Sequence, residues 1–369
     1  VSLYNLRPAA RAPETAESSE TSEAVRLAEP AAVVSPTVAP EHGIASLAVS
    51  VVVPTRQRPQ LLERCLDALA AQTLAPDRYE IIVCDDGPDD DTRLLVHRFA
   101  NTHRPRGLTV RYLAIHATQG PAAARNAGWH HAHAPIIAFT DDDTIPDARW
   151  LEAGLAAIDD DTAAAAGAIV VPIPDPPTDY EADASGLERA EFATANAFVR
   201  RAALHTVGGF DERFTSAWRE DSDLQFSLMR AGGRIVRAPD AIVAHPVRPA
   251  RWGISLKQQK KSRFEALLYY KHRRLYKHRI ARKPPLNYYA TAIAALVAVI
   301  GAAYGATVIA AASALVWFAL TSHFFARRIR GRSRDWRHIA EMAVTSVLIP
   351  FLSIYWRIHG AIRYRTWFL

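Results

Sequence analysis

The residues best suited to chemistry in this chain are acidic, and they fall in three clusters. Asp141, Asp142 and Asp143 follow the apolar run Ile136, Ile137, Ala138 and Phe139. Aspartates crowded at a strand end repel one another and lose hydration, so a cation is their natural neutraliser. A hard divalent ion, Mg²⁺ or Mn²⁺, is held by one or two carboxylates together with substrate phosphates. Asp141 and Asp143, two residues apart, share one side if strand geometry persists. A solvated acidic turn that caps the next helix would read the same way, and Asp89–Asp91 and Asp159–Asp161 are expected to be such turns. Asp85 and Asp86 end a second apolar stretch. The third cluster, Glu220, Asp221 and Asp223, follows Trp218 and leads into Leu224, Leu228 and Met229 at helical spacing. There Asp221 would serve as an N-cap, with Glu220 and Asp223 as first-turn charges. That reading does not explain three acidic clusters in one chain.

The elements that must position these residues alternate. Leu47–Val53 is a β-branched apolar run closed by Pro54, and it predicts a buried strand. Gln60–Gln72 carries Leu61, Leu62, Cys65, Leu66 and Leu69 at helical spacing. Strands are predicted over Glu80–Cys84, Thr109–Ala114 and Pro135–Thr140, and helices over Asp91–Asn101 and Pro121–His131. Strands that are apolar throughout and alternate with helices imply a mostly parallel sheet covered on both faces. Ligands of such sheets bind beyond the carboxyl ends of the strands, where Thr55, Asp85, Asp86 and the triplet fall. Pro172–Pro177 reads as a loop, and Ile235–Ala244 as a late strand ending on His245. Cys65 and Cys84 lack any paired spacing and are expected to fill the core.

The flanks differ from this middle part. Residues 1–46 are rich in Ala, Pro, Glu, Ser and Thr, a composition that predicts a disordered tail. No basic segment with an apolar core and a small-residue cleavage site opens the sequence, so a cleaved signal peptide is not expected. After His245 there are 22 Lys and Arg but only 3 Asp and Glu, against 22 and 35 before it. A basic part beside apolar segments suits an anionic membrane surface, and the uninterrupted apolar run favours lipid over nucleic acid. Residues 251–283 are expected to form a basic amphipathic helical segment. The 43 residues Pro284–Ala326 contain no Asp, Glu, Lys or Arg. Since a spanning helix needs about 20 residues, this run is long enough for two, with a turn near Gly301 and Gly305. Basic clusters at Lys271–Lys283 and Arg327–Arg337 both prefer the cytoplasm, which a helical hairpin allows and a single span does not. The final stretch, Ile339–Ile358, reads as an interfacial helix in preference to a third span. The expected location is a cell membrane, multi-pass, with the catalytic part cytoplasmic.

Six segments, in order, resemble the motif series of family 2 glycosyltransferases. They are Val51, Val53, Pro54 and Thr55; Val83–Gly87; Gly120–Gly128; Asp141–Asp143; Gly208–Glu212; and Glu220–Leu224. The resemblance covers about Leu47–His245. It implies the GT-A fold over residues 47–250, a nucleotide-diphospho-sugar donor, a glycan or lipid-linked acceptor, a divalent metal and inversion at the anomeric carbon. By position it implies that Pro54, Thr55, Arg56, Asp85, Asp86, Arg125, Asn126, Asp141 and Asp142 line the nucleotide-sugar site. Asp143 first, then Asp141 and His245, match the metal site. Asp221 matches the general base, and Gly209, Phe210, Trp218 and Glu220 the acceptor side. Processive members carry a Gln-x-x-Arg-Trp motif, whereas Arg251-Trp252 here has no Gln in the required place, which favours transfer of one sugar or a few. Two rival readings are a sugar nucleotidyltransferase, disfavoured because Val53–Pro59 contains no glycine, and an inactive transferase-like membrane scaffold.

Overall fold

The computed structural model describes residues 47–117 and 120–368, so the expected N-terminal tail lies outside the described residues. Eight strands form one sheet: β1 (Val49–Thr55), β2 (Tyr79–Asp85), β3 (Thr109–Ala114), β4 (Ile136–Thr140), β5 (Ile145–Pro146), β6 (Thr162–Val170), β7 (Asn196–Arg200) and β8 (Arg234–Ala244). Their spatial order is β3-β2-β1-β4-β7-β6-β8-β5. The half containing β3, β2, β1 and β4 is parallel. β7 runs antiparallel to β4 and β6, and β8 is again parallel to β6.

Alternation along β1 explains its apolar sequence. Val51 and Val53 face a core shared with α1 (Pro59–Ala70), α2 (Asp90–His103) and α4 (Trp150–Ala156). Val52 faces the opposite core, built on α3 (Pro121–His130), α6 (Arg201–Val207) and α7 (Glu220–Arg230). With both faces covered, a strand has no polar side to show. Cys65 and Cys84 are buried and free, as their setting implied. Asp89 caps α2 by accepting from the Thr92 amide at 2.8 Å, and Asp159 accepts from Thr162 and Arg234 in a surface turn. These two acidic runs are structural.

Two short helices, α5 (Asp179–Ala184) and α8 (Ile254–Gln258), flank the sheet's C-terminal rim. The basic segment is helical in several pieces. It breaks into α8, a 3-10 turn, α9 (Arg263–Lys271), the single turn α10 (Arg273–Leu275) and a π-helical turn, Tyr276–Ile280. Its apolar residues Phe264, Leu267, Leu268 and Tyr276 are buried against Phe214, Trp218, Phe226 and Phe368, which makes it part of the globular body.

Beyond it come α11 (Leu286–Ala303), α12 (Thr307–Ile329) and α13 (Trp336–Arg363). By length and apolar composition all three could cross a membrane, which supports membrane anchoring. The turn between α11 and α12 is at Tyr304–Ala306, with Gly305 in the left-handed region. Gly301 belongs to α11 itself, where a Cβ would stand 3.1 Å from the Ala310 amide nitrogen, so it serves close helix packing and not the turn. α13 is longer than the expected interfacial helix and packs on α9 as well as on α11 and α12.

Candidate active site

The carboxyl ends of β1, β2 and β4 open on a cleft of about 620 Å³, lined by Thr55, Arg58, Asp86, Arg125, the aspartate triplet, Asp221 and His245 among others. The triplet sits in the turn after β4. Its three carboxyls take different first partners but share His245 and Arg58 between them.

Asp141 meets Arg125, whose Nη2 donates to it at 2.7 Å. Burial alone would raise the Asp141 pKa, but Arg125 and His245 outweigh it and hold the carboxyl below its ordinary value. Asp142 is fully buried; it accepts from Thr55 Oγ1 at 2.7 Å and pairs with Arg58 at 3.1 Å. Burial still dominates there, pushing its pKa up to about 7. Asp143 faces His245 Nε2 at 3.6 Å and Arg248 Nε at 2.9 Å. One ligand atom each from Asp141, Asp143 and His245 lie within 4.8 Å of one another. Ligand distances of about 2.0–2.6 Å to a single hard cation fit that spacing, with two carboxylate oxygens and an imidazole nitrogen as donors. Arg58, at 3.8 Å, and Arg248 both lean on Asp143 and partly neutralise it.

Asp86 forms one wall of the cleft. Both of its oxygens accept from the Gly120 amide at 2.8 Å, Arg56 stands 3.6 Å away, and burial raises its pKa. Gly120 has φ +124, and a Cβ there would press on the Thr215 backbone at 3.2 Å, so glycine permits this approach.

On the opposite wall α7 begins at Glu220. Its N-cap position is held by Arg219 in the left-handed region, so Asp221 is not the cap but lies in the first turn. Thr194 Oγ1 donates to Asp221 at 2.6 Å and fixes it. Burial raises the Asp221 pKa against the pull of Arg125. Burial and then Asp221 also push Glu220 up, to about 8, although Arg125 Nη1 reaches it at 3.2 Å. Arg125, itself buried, therefore ties the triplet to the α7 acids.

Several expected residues do not reach the cleft. Asp85 turns away to accept from Tyr112 at 2.8 Å, because its position in β2 alternates with that of its neighbour. Asn126 is spent inside the fold: it donates to the Phe210 carbonyl and Glu212, and accepts from the Phe210 amide and Trp129. Gly209 and Phe210 lie beneath the cleft. A Cβ on Gly209 would come within 2.6 Å of Asn126 Oδ1, and Phe210 stacks edge-on against Phe139. Pro54, Arg56, Trp218 and Glu220 do line the cleft. Trp218 also donates to Glu265 at 2.9 Å. Arg58, Arg248 and Thr194 were not anticipated. Arg58 carried a legible signal, since Arg56-Gln-Arg58-Pro59 directly follows β1, whereas nothing local marked Thr194.

The chain matches the family model "Glycosyl transferase family 2" over residues 50–214 and "Glycosyl transferase family group 2" over 136–326. It is similar to Glycosyltransferase AglE of Haloferax volcanii, 30% identical over 223 residues, covering 57% of this chain and 70% of that protein. It is also similar to Validoxylamine A glucosyltransferase of Streptomyces hygroscopicus subsp. limoneus, 30% identical, and to Pre-mycofactocin glycosyltransferase of Mycobacterium tuberculosis, 31% identical. Those two matches cover 53% and 56% of this chain but only 51% and 44% of the relatives. Among solved structures, the mannosyltransferase PcManGT from Pyrobaculum calidifontis, in complex with GDP-Man and Mn²⁺, aligns over 91% of this chain and 90% of its own. The TM-score is 0.50 at 19% identity, a likeness of fold alone. The chain belongs to glycosyltransferase family 2, with the GT-A fold and three apolar C-terminal helices.

Proposed function

We propose that the chain transfers a sugar from a nucleotide-diphospho-sugar to a glycan or lipid-linked acceptor, with inversion, at the cytoplasmic face of a membrane. The observation that carries this reading is the convergence of Asp141, Asp143 and His245 on one side of a cleft whose other side holds Asp221. Asp141, Asp143 and His245 would hold a divalent ion. The ion supplies Lewis-acid stabilisation of charge on the departing diphosphate. Mn²⁺ is the first metal to test, because the mannosyltransferase of similar fold was solved with it, and Mg²⁺ the second.

The protein's own groups account for the remaining steps. Asp86 and the β1 end, Pro54 to Arg56, bind the nucleotide. Arg58 and Arg248 meet the diphosphate charge once it enters, since both already bridge to carboxylates at the cleft. Asp221 takes the acceptor hydroxyl's proton. The hydroxyl oxygen bonds to the anomeric carbon, and the bond from that carbon to the diphosphate oxygen breaks with its electron pair on the leaving group. Burial suits Asp221 to this task, because a raised pKa makes a stronger base. Trp218 lines the acceptor side.

For the membrane part, we propose that α11 and α12 span as a hairpin. α13, which carries Glu341 and Arg357 and packs on α9, lies along the interface. The test of the active-site reading is Asp221→Asn. The variant should bind nucleotide sugar like the parent in calorimetry while its turnover falls by about 10²–10⁴. Unchanged turnover would remove Asp221 as the base.

A further inference from the structure

A second cavity of about 930 Å³ lies between the catalytic body and the long helices. Trp218, Arg219 and Glu265 line its body side, and Tyr288, Phe324 and Ile349 of α11, α12 and α13 line the other. Trp218, Arg219, Arg248 and Gln258 belong to both this chamber and the cleft, so the two adjoin.

Its most unusual group is Arg357, on α13. The residue is only 9% exposed, and its guanidinium packs over the Phe368 ring at 4.1 Å. It has one long contact to a backbone oxygen, at 3.5 Å, and its Nε has no partner. A buried guanidinium without a counter-ion is costly to keep. Glu265 feels its charge, but both Glu265 oxygens are already taken, by Trp218 and Arg219 on one side and Tyr276 on the other. Along the chamber, Arg251, Lys283 and Arg327 make no ion pair among the described residues, whereas the lining carboxylates of Asp179, Glu181, Asp335 and Glu341 are all hydrogen-bonded. The chamber therefore offers unspent cations beside an apolar wall. A guanidinium fork is matched geometrically by a phosphate.

We infer that this chamber seats the phosphate or diphosphate of a lipid-linked sugar, with Arg357 as its buried counter-ion and Arg251 at the rim. The lipid chain lies against α11–α13, and the sugar hydroxyl extends through the shared wall toward Asp221. This deepens the transfer reading above and rests on it for the acceptor role.

The test uses the full chain in neutral phosphatidylcholine nanodiscs. Binding is followed by the fluorescence of Trp218 and Trp252, which line the chamber. The probes are hexadecyl phosphate, hexadecanol, phosphatidylglycerol and inorganic phosphate. Hexadecyl phosphate should bind saturably and at least about tenfold more tightly than hexadecanol, the size of a charge-assisted hydrogen bond. Arg357→Gln should weaken it by about tenfold or more, and the exposed Arg251→Gln, which leaves the fold untouched, by a smaller factor. Both variants should bind a nucleoside diphosphate with Mn²⁺ as the parent does. Failure of the parent to bind that nucleotide counts against the cleft reading alone. Equal binding of phosphate and alcohol, or indifference to both substitutions, overturns the anion site. Phosphatidylglycerol binding as tightly as hexadecyl phosphate overturns the acceptor assignment in favour of bulk lipid. Inorganic phosphate binding as tightly overturns the lipid part.

Discussion

Arg125 is the residue whose removal tests the electrostatics of the site most sharply. It is buried, its Nη2 lies 2.7 Å from Asp141 and its Nη1 3.2 Å from Glu220. Arg125→Met keeps the length and bulk of the side chain but removes the cation shared by both carboxylates, leaving Asp141 only the weaker pull of His245 and Arg58. Breaking a buried pair by removing one partner costs about 3–5 kcal/mol. For a domain of this size each kcal/mol lowers Tm by about 2–4 °C, so the fall should be roughly 6–20 °C. The pH dependence has a definite sign. In the parent, Asp141 is held below its ordinary pKa and contributes stability that is present above the unfolded value and lost as pH falls through the folded one. Without Arg125, its largest opponent, burial is opposed only by His245 and Arg58, and the Asp141 pKa rises. The variant then loses stability relative to the parent as pH increases through that raised pKa. Its deficit against the parent should therefore be larger at pH 8 than at pH 5. The assay is thermal unfolding of the full chain in detergent micelles, followed by tryptophan fluorescence at both pH values. A fall of under about 2 °C, or equal falls at the two pH values, would refute the claim that Arg125 neutralises buried acids.

Further expectations concern turnover and the membrane part. Because the Asp221 pKa is raised by burial and the base must be ionised, the acid limb of kcat/KM should lie above the ordinary carboxylate range near about 3.9; a limb at or below that value contradicts the assignment. If α11 and α12 span as a hairpin, the chain should stay in the membrane pellet after a carbonate wash, and release to the supernatant would refute integral insertion.

Much of the sheet was legible because its central strands are covered on both faces and so read as unbroken apolar runs. Thr109–Ala114 was placed to the residue and β2 extends one residue beyond each expected end, whereas β1 starts two residues later than expected, at Val49, and runs through Pro54, which pairs with Cys84, to Thr55. The Asp141, Asp143 and His245 group was legible for a related reason: all three follow strands whose ends face one rim. What a sequence does not carry is the direction of each side chain at that rim. Asp85 and Asp86 are equally acidic neighbours, yet the pleat sends one to Tyr112 and the other to Gly120 and the cleft. Asn126 and Gly209 were read as pocket residues, but Asn126 is bonded to Phe210, Glu212 and Trp129, and Gly209 packs against Asn126 and Trp129, contacts set by the packing of α3 against a loop more than 80 residues away. Arg125 carried no warning that it would bridge two acidic clusters from inside the body. The basic segment is helical, but its breaks into short pieces and the third core that its aromatic residues fill were not legible in the spacing of Lys and Arg.

The central claim is a metal-dependent transfer at Asp141, Asp143 and His245, and its most direct test is turnover of a panel of UDP-, GDP- and dTDP-sugars by the purified chain, with Mn²⁺ or Mg²⁺ and again in excess chelator. At least one nucleotide sugar should be consumed with metal and spared in chelator, and Asp143→Asn should abolish the metal-dependent rate. Full turnover in excess chelator, or an Asp143→Asn variant that responds to metal like the parent, would rule out metal-dependent transfer at this site.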